Sequence, residues 1–287
     1  METDQRGQTP NASDKPPGPE DQAADQTLSW PIRRYRRLGE VTALNDLVVR
    51  EQRIELVVNG THLLAMLALP TEIEALALGF LASEGLWRDR ARMPDIEFDP
   101  AAGEVRCSGD FDVDAVEGIH RRWAFGTGCG GGGTARDLSV LADCKPINSR
   151  LTVDATRLTA LGKEFARMTR LYQMTGGVHA CGLADSDGVL LTAEDVGRHN
   201  AFDKVAGMAL LRNIDITDKI ALTSGRLSAE IVAKAIGIGV PILASFSAPT
   251  AMGVQWSRRF GLTLIGFLRG SRMNVYTAYH RVVSQDD

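Results

Sequence analysis

The chain has 287 residues, of which 44% are apolar, enough to bury a sizeable core and to divide into two domains. Its formal charge of -4, from 32 basic and 36 acidic side chains, supplies no global basic field, so non-specific nucleic-acid binding is not the expected role and any anion site must be local. No uninterrupted apolar run approaches the roughly 20 residues that span a bilayer, and the opening METDQRGQTP is polar, so a soluble, cytoplasmic protein without a membrane partner is expected.

Residues 1–27 are rich in Gln, Asp, Pro and Gly and have almost no aliphatic content, so they read as a disordered tail. Pro31 to Arg37 is a basic cluster with Tyr35 inside it, suited to a solvated strand face or to an acidic partner. Two apolar runs, 47–59 and 61–69, flank Asn59-Gly60, the dipeptide that most favours a tight hairpin turn. Thr71-Glu72-Ile73-Glu74 fits a capping box, and Ile73, Leu76, Ala77, Phe80 and Leu81 follow as one apolar stripe, so a helix is predicted to cover the hairpin. Short alternating segments at 96–98 and 104–107, joined through Ala101-Ala102-Gly103, complete a small α+β domain over 28–150.

From 151 to 287 the texture changes to helices alternating with short apolar runs, the pattern of βα units around a sheet covered on both faces. A first helix is predicted over 154–172, with Leu158, Leu161, Phe165, Met168 and Tyr172 as its core stripe. Strands follow at 178–183, 189–192, 220–223, 242–246 and 262–267, and helices near 199–212, 228–237 and 250–260 separate the later ones.

Four cysteines, Cys107, Cys129, Cys144 and Cys181, are too widely spaced for a C-x-x-C pair, which argues against a thioredoxin motif, a zinc knuckle or a tightly held metal. Structural disulfides are not expected in a reducing compartment, and three of the thiols read as small buried hydrophobes. Cys129 differs. It sits in Gly126-Thr127-Gly128-Cys129-Gly130-Gly131-Gly132-Gly133, a composition that holds neither strand nor helix and leaves the sulfur open from several directions. Such a thiolate can visit a donor and then an acceptor, and Arg121, Arg122 and Arg136 would favour it if they fold nearby. A phosphate-binding loop of the Walker A kind fits less well, because its Gly-Lys-Ser/Thr ending is absent.

Three successive strands of the second domain end in small hydroxylated residues or arginines: Thr223-Ser224-Gly225-Arg226, Ser245-Phe246-Ser247-Ala248-Pro249-Thr250 and Phe267-Leu268-Arg269-Gly270-Ser271-Arg272. In open α/β sheets, ligands bind beyond the carboxyl ends of the strands, where helix N-termini offer N–H groups to anions. A phosphorylated ligand held by Arg226, Arg269 and Arg272 follows from that placement. Glu194-Asp195-Val196-Gly197-Arg198-His199-Asn200 packs four charged or titratable residues ahead of a helix, with Asn200 as a candidate N-cap and Asp203 in the first turn. His179 is compatible with either a core or a ligand role.

Together these residues resemble the FdhD family of formate dehydrogenase accessory sulfurtransferases. The resemblance runs from about residue 45 onward. It is densest in Thr175-Gly176-Gly177-Val178-His179-Ala180, in Glu194 to Ala201, in Ser247-Ala248-Pro249-Thr250 and in Gly266 to Thr277. It implies an α/β protein whose second domain has a cytidine-deaminase-like three-layer α/β/α fold, and a homodimer. It further implies that a cysteine desulfurase passes sulfur to Cys129, the persulfide position. The sulfur then goes to a bis(molybdopterin guanine dinucleotide) molybdenum cofactor, bound as substrate before formate dehydrogenase receives it. The family's cofactor-binding segment falls on Phe267, Leu268, Arg269, Gly270, Ser271 and Arg272, and the guanine-nucleotide portions suit the crevice of Ser224, Arg226, His199 and Ser247. Many relatives carry a second cysteine three residues after the first, where this chain has Gly132, so Cys129 alone would accept and donate.

Two other classes compete. A molybdenum-cofactor-binding chaperone without sulfur transfer would work without Cys129. A zinc-dependent deaminase needs a His or Cys followed two residues later by Glu, then Pro-Cys-x-x-Cys, whereas His179 is followed by Ala180 and Cys181.

Overall fold

Asn59 and Gly60 both take positive φ, 48° and 79°, and turn the chain sharply between two antiparallel strands, as the dipeptide predicts. The computed structural model containing this hairpin describes residues 26–112, 141 and 144–284, so the glycine-rich segment with Cys129, and Arg121, Arg122 and Arg136, lie outside the described residues, as does most of the expected tail.

The chain separates into two compact units, meeting between Val48 and Val49. In the first, β1 (Thr27–Tyr35) pairs with β2 (Val41–Val49), whose last residue already belongs to the second unit. Arg33, Arg34, Arg36 and Tyr35 are all exposed, in keeping with a solvated strand face. The run expected from 47 is broken at Arg50 and Glu51.

The second unit contains two larger sheets. The smaller has four strands in the order β4-β3-β6-β5, built from β3 (Gln52–Val58), β4 (Thr61–Ala68), β5 (Asp95–Asp99) and β6 (Glu104–Ser108). Alternation along β3 sends Ile54, Leu56 and Val58 inward against Val105 and Cys107 of β6. Helix α1 (Ile73–Ser83) covers this face.

Two expectations for α1 need correction. No capping box forms: Glu72 sits in the left-handed region and makes no side-chain cap, while the Thr71 hydroxyl accepts a hydrogen bond from Lys204 Nζ at 3.4 Å. Nor does the helix bury a single stripe, because every residue from Ile73 to Ser83 except Glu74 is buried. A helix apolar all round must be covered all round. A later helix, α4 (Arg198–Leu211), crosses its second face so closely that a Cβ on Gly79 would lie 1.8 Å from the Asp203 carbonyl oxygen, and one on Gly207 1.8 Å from that of Ala75.

The larger sheet follows β7 (Val153–Asp154), helix α2 (Ala155–Met168) and helix α3 (Arg170–Thr175). Its six strands are β8 (His179–Ala184), β9 (Val189–Asp195), β10 (Ile220–Thr223), β11 (Ile242–Ser245), β12 (Thr263–Arg269) and β13 (Arg272–Val275), in the order β13-β12-β11-β10-β8-β9. Strands β10, β11 and β12 are mutually parallel, and β8, β9 and β13 run antiparallel to their neighbours. Leu158, Leu161 and Phe165 of α2 pack on one face, while α4 (Arg198–Leu211), α5 (Ala229–Ile238) and α6 (Ala251–Phe260) pack on the other. A short strand, β14 (Val282–Val283), pairs with β7.

The helix expected over 154–172 is two helices. Asp154 caps α2 through its carboxylate, which accepts from the Thr156 and Arg157 amides, but Thr169 leaves helical geometry and α3 begins afresh. The Glu194 carboxylate then accepts from the Leu171 and Tyr172 amides at the head of α3, and Met168, at the end of α2, and Tyr172 are exposed rather than in the core. Among the described residues no helix is long and apolar enough to cross a membrane.

Candidate functional site

The sheet order decides which residues meet. Because β10, β11 and β12 are parallel, their carboxyl ends share one edge, and because β8 is antiparallel to β10, its first residue, His179, lies at that same edge. β9 ends beside it, with Asp195 paired to His179, so Arg198 and His199 at the head of α4 join the group. The strand ends are stitched together. Phe246 N donates to Thr223 O at 3.1 Å, Ser245 Oγ donates to Gly225 O at 2.6 Å, and Phe267 N donates to Ser247 O at 3.0 Å. The strand ends expected to border a crevice are therefore hydrogen-bonded to one another.

Within it the expected residues hold different positions. Ser224 Oγ accepts from Ala180 N at 3.0 Å and lies 3.3 Å from His179 Nδ1. Ser247 N donates to Ser245 Oγ at 2.9 Å. Arg226, Arg269, Gly270, Ser271 and Arg272 are exposed on the open side, and Arg269 Nε donates to Phe246 O at 2.6 Å. Phe267 takes φ 53° at the bulge between Gly266 and Arg269, which turns the strand toward its partner Arg272. Leu268 is 2% exposed and packs into the core against α2, so only its backbone can face a ligand. Cys129 lies outside the described residues.

The charged run ahead of α4 divides into two halves with different duties. Glu194 caps α3, and burial pushes its carboxyl above the usual range, against the pull of the Tyr172 and Leu171 amides. Asp195 is fully buried, where it accepts from the amides of Leu69 and Gly197 and from Asn200 Nδ2, and pairs with Lys204 at 2.8 Å. Asn200 therefore braces this turn rather than capping α4, whose N-cap residue is Gly197. Asp203 turns away to meet Lys234 at 2.7 Å, and Glu84 joins the same lysine at 2.7 Å. These are structural pairs.

Arg198 and His199 face the crevice. The Gly225 backbone lies against the aliphatic stem of Arg198, where an added Cβ would come within 3.0 Å. Glu230 Oε2 stands 3.5 Å from both Arg198 Nη2 and His199 Nε2. For His199 that is ion-pair distance without hydrogen-bond geometry, since His199 Nε2, like Arg198 Nε, is buried without a hydrogen-bond partner. Burial, and then the positive charges of Arg198, His199 and Arg226, lower the pKa of His179 and keep its ring neutral. Two buried nitrogens without hydrogen-bond partners, Arg198 Nε and His199 Nε2, and the exposed Arg226 thus stand near His179, a set of donors that suits an anion. Arg198 was legible as part of a polar run, whereas Glu230 was missed; its only signal was an acidic residue two places after the helix-capping position Ser228.

The remaining cysteines behave as expected in part: Cys107 and Cys181 are buried, and Cys144 is partly so. Among the described residues no cluster of His, Cys, Asp and Glu could hold a metal ion.

The family model described as FdhD/NarQ family matches residues 49–283. The sulfur carrier protein FdhD of Bacillus pumilus is 34% identical over 251 residues, covering 88% of this chain and 95% of the relative. That of Wolinella succinogenes is 35% identical over 250 residues, covering 86% of this chain and 87% of the relative. The crystal structure of a proposed formate dehydrogenase accessory protein from Desulfotalea psychrophila superposes with a TM-score of 0.76 at 24% identity, covering 90% of this chain and all of that one.

Proposed function

Because the chain belongs to the FdhD/NarQ family, we propose that it is a sulfur carrier serving formate dehydrogenase, with Cys129 as the carrying thiol. The observation that carries this reading is the family match over 49–283, which spans the single cysteine of the glycine-rich segment. In the loading step the Cys129 thiolate attacks the outer sulfur of a cysteine desulfurase persulfide. A new S–S bond forms at Cys129 as the old one breaks, and the donor leaves as its thiolate. With Gly132 where many relatives have a second cysteine, no partner thiol in that segment is needed for this step.

The acceptor is the bis(molybdopterin guanine dinucleotide) molybdenum cofactor, seated as substrate in the crevice of Ser224, Arg226, His199, Ser247 and Phe267 to Arg272. The unpartnered Arg198 Nε and His199 Nε2 and the exposed arginines at that edge support the assignment. A cytoplasmic location, a cytidine-deaminase-like class for the six-stranded half and a homodimeric state belong to the same proposal.

The test is to mix the purified chain with a cysteine desulfurase and cysteine and to read intact mass. One added sulfur atom on Cys129, lost in Cys129→Ala, is the expected result. If Cys129→Ala still restores formate dehydrogenase activity in cells lacking the native protein, the carrier role is wrong and a cofactor-binding chaperone replaces it.

A further inference from the structure

Buried guanidinium and imidazole nitrogens are seldom left without partners, because a buried donor that makes no hydrogen bond forfeits its solvation, and a charged one forfeits more. Arg198 and His199 break that rule side by side. Arg198 is 9% exposed and its Nε has no hydrogen-bond partner, and neither has His199 Nε2. The backbone of Gly225 clamps the Arg198 stem, so the guanidinium cannot swing out to water easily. His179 stands on the other side with its Nδ1 at Ser224 Oγ, and as a neutral ring it has one N–H to give. The amino terminus of α4, whose N-cap Gly197 offers no side-chain cap, adds its positive end. Among these groups, Glu230 Oε2 accepts a long hydrogen bond from Arg198 Nη2 at 3.5 Å and one from Ser228 Oγ at 3.2 Å, and lies 3.5 Å from His199 Nε2.

We infer that Arg198, His199, His179 and Ser224 form an enclosed oxyanion pocket for one phosphoryl group, with Glu230 as the carboxylate that weakens its hold. The inference deepens the crevice reading and rests on it: the enclosed pocket, rather than the exposed Arg226, Arg269 and Arg272, anchors the phosphate. An exposed arginine holds an anion in competition with water and salt, whereas a buried one already stripped of water does not. The geometry also separates Arg269 and Arg272 from the pocket, since β12 stands two strands from β10, roughly 10 Å at the usual strand spacing, whereas Arg226, just past β10, stands at its exposed rim. A ligand with phosphates at both places would have to span that distance.

The experiment titrates the full chain with inorganic pyrophosphate at fixed ionic strength and follows heat. Wild type is expected to bind, Arg198→Met to bind at least about tenfold more weakly, which corresponds to about 1.4 kcal/mol, and Arg272→Gln to lose less than Arg198→Met. Should Arg198→Met fail to fold, Glu230→Gln decides, because removing that carboxylate's charge while keeping its shape should tighten binding several-fold. A purely structural Glu230 would give unchanged or weaker binding. The proposal is overturned if wild type does not bind, if Glu230→Gln leaves affinity unchanged or lower, or if Arg272→Gln loses as much as Arg198→Met. Sulfur loading of Cys129, read by mass on the same samples, reports separately on the carrier reading, so loss of one leaves the other standing.

Discussion

Lys204 and Asp195, each with 0% of its side chain exposed, meet at 2.8 Å beneath the head of α4. The same lysine donates to Leu69 O at 3.1 Å and the same carboxylate accepts from Leu69 N at 3.0 Å, so one buried pair fixes the chain between β4 and α1 to the helix that carries Arg198 and His199. Removing one member leaves the other charged and dry, at a cost of about 3–5 kcal/mol. Lys204→Met should therefore lower the urea midpoint by that equivalent, and Asp195→Asn added to it should restore part of the loss. A loss under about 1 kcal/mol would mean that water reaches the pair.

The close crossing of α1 and α4 predicts a second large effect. Gly79→Ala would drive a methyl group into the Asp203 carbonyl, and the two helices would have to part. The expected cost is about 3 kcal/mol or more, at the upper end of overpacking. Gly60→Ala, which meets nothing within 4 Å and suffers only from its positive φ, should cost about 1 kcal/mol. Thermal melts of both variants settle the order, and equal losses would refute the contact.

Burial pushes the thiols of Cys107 and Cys181 up to about 12, so neither forms a thiolate near neutral pH. Native-state alkylation with iodoacetamide, followed by peptide mass mapping, should leave both unlabelled and label them only in denaturant. Rapid native labelling of either would remove the contrast with Cys129 on which the choice of carrying thiol depends.

His179 titrates below its ordinary value of 6.5, first because it is buried and then because Arg198, His199 and Arg226 repel a further positive charge. As pH falls below about 6.5, the unfolded chain takes the proton before the folded one does. The stability contributed at higher pH is then lost through the window down to the lowered folded value. Wild type should lose melting temperature across that window faster than His179→Asn. Parallel curves would show that the ring is solvated.

Local signals located most of the elements. Asn59-Gly60 marked its hairpin because positive φ is a property of those two residues, and the strands and helices from 178 to 267 followed from apolar period, while the short strands β13 and β14 carry too few apolar residues to show one. The capping box at Thr71 failed because Lys204, 133 residues away, takes the hydroxyl. The long helix broke at Thr169 because Glu194 stabilises a new start, and neither competitor is visible in a local window. In the site, chain order showed that Ser224, Ser247 and Arg269 end successive strands.

The sequence by itself pointed to the family and singled out Cys129 and one sheet edge as the candidates for sulfur and anion, since such readings depend on residue identity and on short-range pattern. Only the tertiary structure decided the duties within the charged run before α4. Glu194 and Asp195 are spent on backbone amides and Lys204, while Arg198 and His199 keep unmatched donors against Glu230. The reason is physical: whether a charged side chain is free to act depends on which groups distant in sequence reach it once water has been excluded, and that is settled by packing.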